Sequence, residues 1–256
     1  TKKTQQPQLF LTTLFHVGLN LIWDWRIGPG DSSERGDALD MLASLPKNSL
    51  LTADAGFVGY DFSKTVLGSG CELLVRVGSN VKLLKQLGFV RESQGTVYVW
   101  PDKVSRKKLP PLVFRLVVVQ GGRHCVYLLT SVTSAQVLTN RQVAELYRTR
   151  WGIELFYRHL KQTFGRRKLR SNSAGNARVE LEWSLVGLWA VGLFASRELV
   201  SEGIPLERLS MALAIQSFRR IARDYLHPRD RRSRLRDWLR ESLMDTYQRV
   251  NKTSRD

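Results

Sequence analysis

The chain has little that would staple, anchor or metallate it. It carries only two cysteines, Cys71 and Cys125. Each sits in an apolar, strand-like setting, which argues against a disulfide or a cysteine metal pair and reads as reduced core of an intracellular protein. The four histidines, His16, His124, His159 and His227, are scattered without ligand spacing and are assigned no metal. The most apolar run, Trp183 to Ala195, is bounded by Glu182 and Arg197. It is too short to cross a bilayer and is expected to be a buried helix. No signal peptide, internal repeat or low-complexity tract is visible. Acidic side chains are scarce: 23 Asp and Glu face 40 Lys and Arg, a net charge of +17 and a pI near 10.4. The imbalance is 16 against 10 in residues 1–140 and 24 against 13 after them. A polyanion is the expected partner, nucleic acid by default and an anionic membrane surface as the weaker alternative.

What is present suffices for a packed protein. With 256 residues, 43% of them hydrophobic, the chain can bury a real core as one large domain or two small ones. Residues 8–15 and 20–27 read as a hairpin closed by Gly28-Pro29-Gly30. Asp31-Ser32-Ser33-Glu34 resembles a capped helix start, with a helix to about Leu45. Residues 49–53 form a short buried strand that ends in Asp54-Ala55-Gly56-Phe57. A helix over 60–67 and a strand over 72–77 follow. From Gly78 to Ser131 strands predominate (97–100, 112–120 and 124–130), with the basic segment Lys103 to Lys108 as an exposed loop. Helices follow at about 179–201 and 206–226. The order of elements predicts an α/β protein with a mixed sheet flanked by helices. Asp54 then lies at the carboxyl end of a buried strand, where α/β sheets place their sites.

Residues 140–170 organise the rest. They read as one long helix with a basic exit, bearing Tyr147, Arg150, Glu154 and Lys161 in the spacing Y-x2-R-x3-E-x6-K. At about 100° per residue these four fall within roughly 60° on the surface, beside the apolar stripe Leu146, Ile153, Phe156, Leu160 and Phe164. A carboxylate framed by cations and a phenol suits a metal ligand among phosphate-binding groups. A solvated face, with Glu154 paired to Arg150 and Arg158, is the plain alternative. Asp54 likewise reads as a metal ligand or as a cap for the turn that follows it. Phosphodiester chemistry uses two divalent ions about 3.5–4 Å apart, held by carboxylates from separate elements, and Asp54 and Glu154 are candidates for that pair.

These residues carry a resemblance. The string from Tyr147 to Lys161, with Trp151 after the Arg, resembles the signature of the DDE transposases of insertion-sequence-four type. Asp54-x-Gly56-Phe57 is similar to that family's second-Asp motif. Arg76 in Leu-Leu-Val-Arg-Val and the strand Tyr127-Leu-Leu-Thr130 fit its pattern, and the match runs from about Pro7 to Leu188. The resemblance implies a ribonuclease-H-like fold interrupted by a β-insertion between the second Asp and the Glu. It would divide the chain into a core segment (1–78), the insertion (79–131), a second core segment with the signature helix (132–201) and a basic helical region (202–256).

It also implies magnesium-dependent cutting at transposon ends by two Mg2+ ions, for which Mn2+ can substitute, then attack of the freed hydroxyl on target DNA. The second strand can be cut through a hairpin on the transposon end. Asp54 and Glu154 would be the catalytic metal ligands. Tyr147, Arg150 and Lys161 would hold phosphates, with Arg76 and the cluster Arg166, Arg167, Lys168 and Arg170 as further DNA contacts. Trp151 would pack the helix, and Trp100 is the candidate support for a flipped base. The implied partners are double-stranded DNA and a second copy of the chain, with no membrane, in bacterial cytoplasm near the nucleoid.

One departure stands out. The family's first Asp belongs to a strand upstream of the hairpin, and the chain starts too late to contain it. Asp31 and Asp24 are both declined as substitutes. The expectation is a catalytic domain lacking its N-terminal part, inactive alone. The rival readings are a DNA-binding remnant without catalysis and a nuclease of the same fold without strand transfer. Arg229 to Leu243, where six Arg surround Leu235, Trp238, Leu239 and Leu243, reads equally as a docked helix or a DNA-binding tail.

Overall fold

The computed structural model describes residues 8–77, 87–121, 124–226 and 237. His227 and, apart from Asp237, the basic segment from Arg229 to Leu243 lie outside the described residues. The chain divides into two compact units. One comprises residues 10–14 and 24–151, the other residues 1–9, 15–23 and 152–256.

The hairpin strands β1 (Leu9–His16) and β2 (Leu21–Pro29) pair with each other. After them come helix α1 (Glu34–Asp40), β3 (Leu50–Ala53), α2 (Tyr60–Gly68) and β4 (Glu72–Arg76). Four more strands follow: β5 (Phe89–Ser93), β6 (Thr96–Trp100), β7 (Leu112–Gly121) and β8 (His124–Thr130). A six-stranded sheet results, in the order β3-β4-β8-β7-β6-β5. Only β3 and β4 are parallel, joined through α2; every other pairing is antiparallel. The sheet is therefore mixed, and the strands after β4 extend it.

Alternation of side chains assigns the two faces. Ala53, Leu73, Val75, Phe114 and Leu129 point to one side, where Ala38, Leu42, Phe62 and Val66 from α1, α2 and the turn after α1 cover them. Leu74, Val117 and Leu128 point to the other, against Val143, Leu146 and Tyr147 of α3 (Asn140–Thr149). Phe114, Leu73 and Leu129 are fully buried, each contributing about 1.5–3 kcal/mol of transfer free energy. Thr139 and Gln142 close a reciprocal capping box at the start of α3. The Arg115 guanidinium donates to the Leu138 carbonyl just before that cap, and desolvation pulls its pKa below the usual arginine value.

In the second unit, α4 (Trp151–Arg158) runs into a π-turn (His159–Thr163). After a loop come α5 (Ala174–Ser201) and α6 (Met211–Leu226). Gly192 lies in the interior of α5. A Cβ there would stand 2.4 Å from Leu21 Cδ2 and 2.9 Å from Met211 Cε, so glycine allows this packing. At 28 residues α5 is long and apolar enough to span a membrane by length and composition. Leu181, Leu185, Leu188, Ala195 and Leu199 nevertheless bury one side of it, as a core helix does. The expected buried run is thus buried on one face only; Trp183 is 71% exposed on the other.

Candidate active site

Asp54 follows β3 directly and continues its alternation, Leu50 and Thr52 preceding it on the α3 side of the sheet. Its backbone is extended (φ −85°, ψ 175°), and its Oδ1 accepts the Ala55 N–H at 2.7 Å, capping the 3-10 turn Ala55–Phe57. The cap reading is therefore correct for this oxygen. The same Oδ1 also accepts the Tyr147 hydroxyl at 3.3 Å from α3, 93 residues on. Tyr147 carries Arg150 over its ring, the guanidinium carbon 5.5 Å from the centroid. Desolvation, then the Asp54 charge, raise the Tyr147 pKa, outweighing Arg150 and Arg76; the phenol stays protonated and donates. Arg76, the last residue of β4, has a buried Nε with no hydrogen-bond partner among the described residues. Four of the anticipated site residues, Asp54, Tyr147, Arg150 and Arg76, therefore meet in the first unit.

Arg35, on the first turn of α1, adjoins this group and was not anticipated. Arg35 Nε donates to the Gly56 carbonyl at 2.6 Å and its Nη2 to the Val58 carbonyl at 2.8 Å. These bonds hold α1 against the turn that Asp54 caps. Nothing in the sequence around Arg35 signalled these acceptors, because the proximity is tertiary. The cap of α1 is Ser33, whose Oγ accepts the Gly36 N–H at 3.2 Å, two residues later than the sequence pattern placed it.

Glu154 and Lys161 belong to the second unit. The single long helix expected over 140–170 is divided. Arg150 N–H turns back to Tyr147 O (3.3 Å) and to Arg148 O, so the ladder tightens there. At 159–163 it widens, with Phe164 N–H bonding His159 O at 2.8 Å. Gly165, at φ 72°, ends the helix, as glycine in the left-handed region does. A uniform 100° phase from Tyr147 to Lys161 therefore does not apply. Glu154 lies half-buried in the first turn of α4, where the helix dipole favours an anion. Lys161 is exposed, its ammonium 5.5 Å from the Tyr157 ring centroid.

The basic exit is loop rather than helix. Arg166 bonds Glu180 at 2.9 Å and the Ser184 hydroxyl at 2.7 Å, so its guanidinium ties this loop to α5. Glu180 also accepts from Arg170 N, Ser171 N and Ser171 Oγ. Desolvation pushes the Glu180 pKa up, but the Ser171 hydroxyl, these backbone donors and Arg166 hold it below the ordinary value. Arg167, Lys168 and Arg170 are exposed.

Trp100 does not fit the role suggested for it. It is 8% exposed, with its indole N–H bonded to Leu109 O at 2.9 Å and its ring against Phe89, so no base can stack on it. Trp151 is 42% exposed instead of packed. Asp24 is paired with Arg26 at 2.9 Å.

Among the described residues no group of three or more His, Cys, Asp and Glu gathers as a ready metal cage. The sequence matches the transposase DDE domain family over residues 2–190. It is 28% identical over 194 residues to the transposase InsG for insertion sequence element IS4 of Escherichia coli (strain K12), covering 72% of this chain and 42% of that protein. The chain thus spans less than half the length of this relative. In three dimensions it is similar to the piggyBac transposase synaptic complex with hairpin DNA, with 14% identity and a TM-score of 0.47 over 93% of this chain and 52% of that one. With three quarters of its length matched, including the strand-end aspartate and the tyrosine that bonds it, the chain belongs to the transposase DDE domain family.

Proposed function

We propose that this chain is the catalytic portion of a DNA transposase. It would hydrolyse phosphodiester bonds at transposon ends and transfer the freed ends to target DNA, with Asp54 and Glu154 as metal ligands and two Mg2+ ions, or Mn2+ in their place. The observation that carries this reading is the hydrogen bond from Tyr147 to Asp54. It joins the family's tyrosine to its strand-end aspartate across 93 residues, and Arg150 and Arg76 stand by as phosphate-binding cations.

The donor chemistry fits the metal. Magnesium binds through one or two carboxylates, keeps several waters and takes the rest of its ligands from phosphate, so a full protein cage is not required. When bound, the metal activates the attacking oxygen and stabilises the leaving one. The protein's own part is to fix Asp54 through Ala55 N–H and Tyr147 and to neutralise the strand with Arg150, Arg76 and Lys161. The exposed Arg167, Lys168 and Arg170 would extend that contact along the duplex, Arg166 serving the loop. Double-stranded DNA is the proposed partner, with two copies of the protein on two ends, in bacterial cytoplasm.

The test is cleavage and joining of DNA carrying the element's own ends, in Mg2+, by the full-length protein, by its Asp54→Asn and Glu154→Gln variants, and by this chain alone, which should not cleave. Cleavage and joining lost in both variants, with duplex binding kept, is the expected result. Binding without cleavage by the unaltered full-length protein would favour a DNA-binding remnant. Cleavage without joining would favour a nuclease.

A further inference from the structure

Helix α5 is apolar on two opposite sides, and only one of them is covered. Leu181, Leu188, Ala195 and Leu199 are buried on one face. On the other, Val179, Trp183, Val186, Leu193 and Val200 are exposed. A helix apolar all round is suited to burial all round. The exposed residues are also ordered. From Val179 they recur at intervals of four and three, the series being completed by the half-buried Ala190 and the exposed Arg197. That is the a and d repeat of a helix-helix seam, held through three heptads. Trp189, exposed as well, widens the stripe at its centre; tryptophan is a residue enriched where interfaces are anchored.

Two charges on this face choose the occupant. Glu182 lies beside Trp183 and Arg197 lies within the seam, fifteen residues on, or about 22 Å along the axis. A parallel copy would set Arg197 against the partner's Arg197, like charges facing each other in an apolar seam. An antiparallel copy, related by a two-fold axis between Trp189 and Ala190, sets Arg197 level with Glu182 of the partner subunit. The same register sets Val186 level with Leu193 and Val179 level with Val200, and the two-fold makes each contact twice. Glu182 is now bonded by Arg178 at 3.0 Å, but that exposed pair contributes little, and a carboxylate can accept from two cations. The face is thus complementary to itself in charge as well as in apolar spacing.

We propose that the exposed face of α5 is the surface on which two copies of this chain associate, antiparallel about an axis between Trp189 and Ala190. This gives a surface to the two copies of the reading above and rests on that reading only for its use in holding two DNA ends. Association without DNA and cleavage of DNA are separate measurements, so either can fail alone.

The test is sedimentation equilibrium of the full-length protein without DNA, where a reversible dimer is expected. Trp183→Glu should weaken it by about tenfold or more. The melting temperature of the diluted protein should stay within about 2 °C, because that side chain is exposed. Arg197→Glu and Glu182→Arg should each weaken the dimer by about threefold or more, and the two together should restore it. A dimer indifferent to Trp183→Glu would overturn the surface. A double variant no tighter than the single ones would overturn the antiparallel arrangement. A protein monomeric at every concentration would overturn the proposal altogether. Slow maleimide labelling of Trp183→Cys in that monomer would then assign the face to another segment of the full-length protein, and flotation with phospholipid vesicles would assign it to lipid.

Discussion

Arg35 offers the sharpest test of how Asp54 is held. Its two bonds, 2.6 and 2.8 Å to Gly56 O and Val58 O, fix the turn that Asp54 caps. A hydrogen bond to a charged donor contributes about 1.5–3 kcal/mol in mutational series. Arg35 is exposed, so screening by solvent reduces each to about 1 kcal/mol. Arg35→Ala should therefore cost about 2 kcal/mol, which for a chain of this size lowers the melting temperature by about 4–8 °C. Arg35→Lys should recover about half of this, because an ammonium cannot span both carbonyls as the planar fork does. Amide exchange should accelerate at Phe57 and Val58, whose N–H groups close the turn on Asp54 O and Ala55 O. A melting temperature within about 1 °C of the unaltered protein, with exchange at those amides unchanged, would refute the claim that α1 positions the site.

Three further outcomes are expected. Gly88 has φ 125°, and a Cβ there would lie 2.2 Å from the Trp100 carbonyl oxygen. Gly88→Ala should thus cost about 3–5 kcal/mol by urea unfolding, whereas Gly68→Ala at the end of α2, with open space around it, should change stability by no more than about 1 kcal/mol. His159 is held below its ordinary pKa of 6.5 by desolvation and then by Arg158. Its neutral form stabilises the fold above pH 6.5, and that stability is lost as pH falls below it; His159→Gln should flatten the fall in melting temperature there. Replacing Arg167, Lys168 and Arg170 together by Ala should reduce the slope of log affinity for duplex DNA against log salt by about 2.7, at about 0.9 per phosphate contact. An unchanged slope would remove them from the interface.

The parts legible in the sequence were those with local causes. A buried apolar run ending in Asp-Ala-Gly marked β3 and its turn, and alternating residues marked β7 and β8. The spacing of Tyr147 and Arg150 on one helix was a local signal too, and Tyr147 does meet Asp54. What was not legible came from distant packing. Gly152 sits where a Cβ would approach the Phe15 ring to 2.9 Å, and no local count shows that α3 and α4 are separate helices or that the ladder widens at His159. Arg166 read as one of four cations in a basic cluster; only the return of α5 brings Glu180 and Ser184 to it. Trp100 read as available because pairing of β5 and β6 across Phe89 could not be foreseen. Arg35 joined the turn after Asp54 through two acceptors that lie 21 and 23 residues further along. One missed signal was local: Thr139-x-x-Gln142 is a readable capping box.

The proposed metal ligation by Asp54 and by Glu154 has a direct test. Replacing Mg2+ by Fe2+ and generating hydroxyl radicals at the bound ion would cut the polypeptide beside its ligands, and the fragments can be mapped by mass spectrometry. Breaks near residue 54 and near residue 154, both suppressed by excess Mg2+ and by Asp54→Asn, are expected. Breaks at only one of the two places, or none that Mg2+ suppresses, would contradict it.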